Sequence, residues 1–107
     1  MKKLFIPCSF ILITGCANVL QTGSISDAYK KYETEDYEKT LQLITLARSI
    51  NDISPELIAE LTFLKAKTYE KMGQAETAET LLEYLKEQHN DSQYGYLAAK
   101  ALGNNDG

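Results

Sequence analysis

Few side chains in this chain of 107 residues could do covalent or acid–base chemistry. There are two cysteines, Cys8 and Cys16, and one histidine, His89. A thiol or an imidazole becomes a nucleophile or a zinc ligand only with an activating base or further ligands beside it. One histidine, expected at a helix C-terminus where a cation is favoured, supplies neither. The carboxylates of Glu76, Glu79, Glu83 and Glu87 recur at helical spacing. General acid–base work by carboxylates needs a cleft and unequal environments. A row on one helix face opposite an apolar stripe is expected to be solvated, or to meet a basic partner. The glycines at 15, 23, 73, 95, 103 and 107 are scattered, so they form no phosphate-binding loop, and no serine sits on a nucleophile elbow. The expectation is therefore no catalytic residue, no metal ligand and no enzyme.

Cys16 is the thiol whose surroundings carry information. The chain opens with Lys2 and Lys3, continues through the apolar run Leu4–Ile13, and reaches small residues before Cys16. This is the order of a secretory signal peptide. A stretch of ten residues interrupted by Pro7 is half the roughly 20 needed to span a bilayer. Ile13-Thr14-Gly15-Cys16 resembles the lipobox of bacterial lipoproteins, in which an aliphatic residue, two small residues and a cysteine direct lipid attachment. The resemblance implies cleavage before Cys16 and acyl chains on its sulfur, with no other cofactor. Cys8 would leave with the signal, so the mature domain would hold no free thiol, as suits an oxidising compartment. Ala17 stands where an aspartate would retain a lipoprotein in the inner membrane, which implies an outer-membrane protein facing the periplasm. Plain secretion, with cleavage at the small residues around Gly15-Cys16-Ala17, is the alternative.

Loss of Lys2 and Lys3 with residues 1–15 takes the net charge from −4 to −6 and leaves 92 residues. An acidic domain repels phosphate backbones, so no nucleic-acid partner is expected. It gains little from anionic lipid, so acyl chains would have to hold it at a membrane. The chain divides into a signal peptide (1–15), a lipidated N-terminus and tether (16–24), an all-α domain (25–102) and a disordered tail (103–107).

The elements of that domain are expected at 25–34, 37–50, 54–72, 74–88 and 92–102. Ser54 is an N-cap, Pro55 fits the first helical position and Glu56 favours the dipole's positive end. Gly73 marks a helix end, His89-Asn90-Asp91 break the next helix, and Ser92 caps the last. Ala75, Ala78, Leu81, Leu82 and Leu85 fall on one helical face, as do Tyr37, Thr40, Leu41, Ile44 and Ala47. Both stripes are best buried against antiparallel neighbours. Tyr37 and Tyr69 are expected in the core.

Glu35-Asp36-Tyr37-Glu38-Lys39-Thr40-Leu41 and Gly73-Gln74-Ala75-Glu76-Thr77-Ala78-Glu79 occupy equivalent places 38 residues apart. Both resemble the turn of a tetratricopeptide repeat, whose usual period is 34 residues; the loop around Asn51-Asp52-Ile53 takes up the difference. Ala66, Tyr69, Ala78, Leu82 and Leu85 match the repeat's packing positions. Leu85 through Tyr94, followed by Ala98, is similar to a Leu-x-x-x-Tyr-Pro-x-Ser-x-Tyr-x-x-x-Ala pattern of repeat-containing envelope lipoproteins, with Asn90 in place of proline. The resemblance implies two helix pairs and a C-terminal capping helix. It also implies a groove lined by the first helix of each pair. By register the groove positions fall on Glu60, Phe63, Lys67 and Glu70 in the second unit, and on Ile25, Tyr29 and Tyr32 in the first. Tyr29, Tyr32, Glu60, Phe63, Lys67 and Glu70 are thus the candidate partner-binding residues, an aromatic strip with charged edges that could hold a peptide. Two alternatives stay open. Phe63 and Tyr32 could pack against the last helix, or that helix could fill the groove. The implied function is a protein–protein interaction adaptor or assembly factor in an envelope complex of the secretion, pilus or outer-membrane assembly type. The alternative is a self-associating structural lipoprotein, because two repeats are fewer than the three or so usually needed for stability.

Overall fold

A computed structural model describes residues 23–106 except residue 51. The expected signal peptide, Cys16 and residues 17–22 of the expected tether lie outside the described residues. Among those described there are five α-helices and no strand: α1 over 23–33, α2 Tyr37–Arg48, α3 Pro55–Lys71, α4 Ala75–Gln88 and α5 Gln93–Asp106. No described helix is long and apolar enough to cross a membrane.

Local chemistry sets the boundaries. Ser54 Oγ accepts from Leu57 N at 3.1 Å, with Pro55 opening α3. Asp36 accepts from Lys39 N at 3.3 Å at the start of α2. The two turns expected to be equivalent share one hydrogen-bond pattern. Glu35 N donates to Tyr32 O (3.1 Å) and Asp36 N to Lys31 O (2.8 Å). Gly73 N donates to Glu70 O (3.1 Å) and Gln74 N to Tyr69 O (2.9 Å). Each is a Schellman ending, which satisfies the last free carbonyls and needs a left-handed residue at its pivot. Gly73 adopts φ 82° there without strain, whereas Glu35 adopts φ 66° with a Cβ. A left-handed non-glycine costs about 1–2 kcal/mol, partly offset by the greater chain entropy glycine would lose on folding. Glu35→Gly is therefore expected to stabilise the domain by about 1 kcal/mol, raising the thermal midpoint by roughly 4–8 °C. Thermal denaturation followed by circular dichroism checks this, and a lowered midpoint would contradict it.

α3 is the central element. Ala59 and Ala66 face a core completed by Leu82, Leu85, Ala98 and Leu102 of α4 and α5. Leu61 and Leu64 face a second core with Ala28, Ile44 and Ala47 of α1 and α2. Full burial of each leucine or isoleucine contributes about 1.5–3 kcal/mol. Thr62 and Thr68 on α3 and Thr40 on α2 are also buried. Each hydroxyl donates to the carbonyl four residues back, at 2.7–2.9 Å, so none is left unsatisfied. Thr40 and Ala78, equivalent across the 38-residue spacing, are both fully covered.

Three expectations are corrected. Gly23 and Ser24 belong to α1 rather than to a tether, and Ser24 is buried. α5 runs on to Asp106 instead of ending at 102 in a disordered tail; no proline interrupts it, and buried Leu102 anchors its last part. Tyr37 and Tyr69 are half-buried rather than core residues. The central space is taken by Ile44, Leu61, Leu82 and Leu85, and a phenol can leave its hydroxyl in water at no hydrogen-bonding cost.

A candidate peptide-binding cleft

α1, α3 and α5 enclose an open cleft of about 330 Å³, lined by Tyr29, Tyr32, Glu33, Phe63, Leu64, Lys67 and Tyr94. Helical spacing explains most of it. Tyr29, Tyr32 and Glu33 lie three and four residues apart on α1, and Phe63, Leu64 and Lys67 do so on α3, so each set shares a face. The side chain of Ile25 packs against the α1–α2–α3 core.

Tyr29 Oη donates to Glu60 Oε2 at 2.8 Å, tying α1 to α3. Burial first, and then the hydrogen bond to the Glu60 carboxylate and its charge, push the Tyr29 phenol far above its ordinary value. Tyr94 is raised too, by burial and then by the charges of Glu60 and Glu56. Tyr32 meets Tyr37 edge-on with ring centroids 5.9 Å apart. The rings of Phe63 and Tyr94 lie 5.8 Å apart at 45°. Lys67 Nζ pairs with Glu70 Oε1 at 3.2 Å.

The raised phenol has a consequence at alkaline pH. The folded chain holds the Tyr29 proton more tightly than the unfolded chain. That contribution to stability is fully present below pH 10, the ordinary phenol value, and is lost as pH rises above it through the folded value. In an alkaline titration followed by ultraviolet absorbance, Tyr29 is expected among the last phenols to ionise, and Tyr29→Phe to shrink that late phase. Ionisation of Tyr29 near pH 10, the ordinary phenol value, would show that the bond is not held in solution.

Of the residues singled out from the sequence, Tyr29, Tyr32, Phe63 and Lys67 come together on the wall. Glu60 lies beside them as the acceptor for Tyr29, and Glu70 is exposed as the partner of Lys67. Cys16 lies outside the described residues. Glu33 and Leu64 were not anticipated, although each sits next to a selected residue on its helix. Tyr94 was also missed as a wall residue. α5 neither fills the cleft nor stands apart from it, but closes one side with this ring. The Glu76, Glu79, Glu83 and Glu87 row is exposed, with Glu83 3.6 Å from Lys86. His89 caps α4, its ring 5.4 Å from that of Tyr84. Among the described residues no three His, Cys, Asp or Glu side chains gather as a metal site.

Comparison of the chain with known protein families, curated proteins and solved structures gives no match.

Proposed function

We propose that this chain is a membrane-anchored lipoprotein that serves as a protein–protein interaction adaptor or assembly factor in a cell-envelope complex. Acyl chains on Cys16 would hold it at the outer membrane facing the periplasm, with two tetratricopeptide-like helix pairs and α5 as their cap presenting the binding surface. The lipobox-like residues ending at Cys16 motivate the anchor. The matching Schellman turns at Glu35 and Gly73, and the buried pair Thr40 and Ala78, support the repeat.

The observation that carries the reading is the convergence of Tyr29, Tyr32, Phe63 and Lys67, groove positions implied by the repeat resemblance, on one open cleft. Rigid aromatic side chains bind peptides at low entropic cost. Secretion, pilus and outer-membrane assembly complexes are the class of partner this favours.

The test is capture from envelope extract with the intact lipidated chain in detergent. Wild type is expected to retain a partner in stoichiometric amount, and the Tyr29→Ala, Phe63→Ala double variant to lose it while keeping its helical circular dichroism. Capture of nothing, or equal capture by both chains, would overturn the reading.

A further inference from the structure

We propose that the cleft takes the cationic side chain, arginine or lysine, of a basic segment in the partner polypeptide. The inference rests on the cleft being the docking surface and specifies what docks there. Four aromatic residues, Tyr29, Tyr32, Phe63 and Tyr94, line a space of about 330 Å³. That volume is at the small end for ligand pockets, so it suits one long side chain rather than a folded surface. Ring faces carry negative potential and attract ammonium and guanidinium groups.

The charges around the rings have the complementary sign. Glu33 stands on the wall. Glu60 lies beside it, its Oε2 held by Tyr29, and it acts with Glu56 on the Tyr94 phenol. Lys67, the one cation among the described lining residues, has Glu70 at 3.2 Å. A neutral apolar occupant would leave Glu33 and Glu60 without a counter-charge. An acidic occupant would add like charge, as would a second copy of this chain, whose net charge is −4. A cation offsets these carboxylates and gains the ring faces at once. The same pairing already forms on α5, outside the cleft, where Lys100 Nζ lies 5.5 Å from the Tyr96 ring centroid.

The test titrates the intact chain, in non-ionic detergent, with a short arginine–glycine peptide and a matched glutamate–glycine peptide, following side-chain resonances by NMR. Saturable shifts at Tyr29, Tyr32, Phe63 and Tyr94 are expected with the arginine peptide alone, weakening as salt is added. Phe63→Leu, which keeps apolar bulk but removes the ring, is expected to weaken binding roughly three- to thirty-fold, as is Tyr94→Leu. Glu60→Gln should weaken it in the same direction. Equal or tighter binding of the glutamate peptide would overturn the proposal. So would shifts confined to Tyr96 and Tyr84, no saturable shift with either peptide, or cleft shifts that depend only on protein concentration, which would signal a second copy. If the double variant loses its envelope partner but arginine peptides leave the cleft untouched, the docking surface stands and its cationic specificity falls. If neither effect is seen, both fall.

Discussion

Replacing Gly95 with alanine destabilises the domain by about 2 kcal/mol, while the same replacement at Gly103 in the same helix stabilises it by about 0.5–1 kcal/mol. Both glycines lie in α5. In an otherwise open helix position, alanine is favoured because glycine loses more backbone freedom on folding. Gly103 is such a position, exposed and with no heavy atom within 4 Å of an added Cβ. Gly95 is not. A methyl group there would overlap the carbonyl oxygen of His89 and lie 2.8 Å from its carbon and 3.1 Å from Asn90 Cα. These are backbone atoms held in place from both sides. The His89 carbonyl accepts from Ser92 N at 3.0 Å and from the Ser92 hydroxyl at 2.9 Å. Ser92 Oγ in turn accepts from Gly95 N at 3.1 Å, capping α5. To admit the methyl group, α5 must lift from the end of α4, which loosens Ala98 and Leu102 in the core and displaces Tyr94 from the cleft. The thermal midpoint is expected to fall by roughly 8–16 °C for Gly95→Ala and to rise for Gly103→Ala. Equal midpoints for the two variants would show that α5 does not press on the His89 turn.

Replacing Cys16 with serine is expected to move the protein from the membrane to the soluble fraction without changing its fold. A thioether to lipid needs the sulfur, and serine cannot supply it. Each buried methylene contributes about 0.8 kcal/mol to anchoring, so removal of the proposed acyl chains would change the partition by orders of magnitude. No described helix is long and apolar enough to cross a membrane, and the chain's net charge of −4 gives no general attraction to anionic lipid. Cys16 precedes every described helix, so circular dichroism and the thermal midpoint should match wild type. Fractionation by ultracentrifugation gives the answer. Retention of Cys16→Ser in the membrane pellet would overturn the lipid anchor, while unfolding of the variant would show that Cys16 has a structural role.

The sequence by itself determined the features that rest on residues within about five positions of one another. The caps at Ser54 and Ser92 and the paired turns 38 residues apart form hydrogen bonds inside their own segment, and Pro55 opens α3 as its position suggests. The apolar stripes of α2 and α4 were legible for the same reason, because helical periodicity states which side must be covered. The groove positions implied by the tetratricopeptide resemblance, carried along α1 and α3 by register, include Tyr29, Tyr32, Phe63 and Lys67, which line the cleft.

Only the tertiary structure decided what those faces meet. The Tyr29–Glu60 hydrogen bond joins residues 31 positions apart. Tyr94 becomes a wall of the cleft because α5 returns to α3 and lays its ring beside Phe63. Glycine at position 95 reads in the sequence as a weak point of a helix, and becomes a requirement only where the His89 carbonyl lies against it. Tyr37 and Tyr69 are left half-buried, while the large side chains fully covered between the helices include Ile44, Leu61, Leu82 and Leu85. In each case the deciding term is steric or electrostatic contact between segments distant in the chain, and helical period carries no information about which segment arrives.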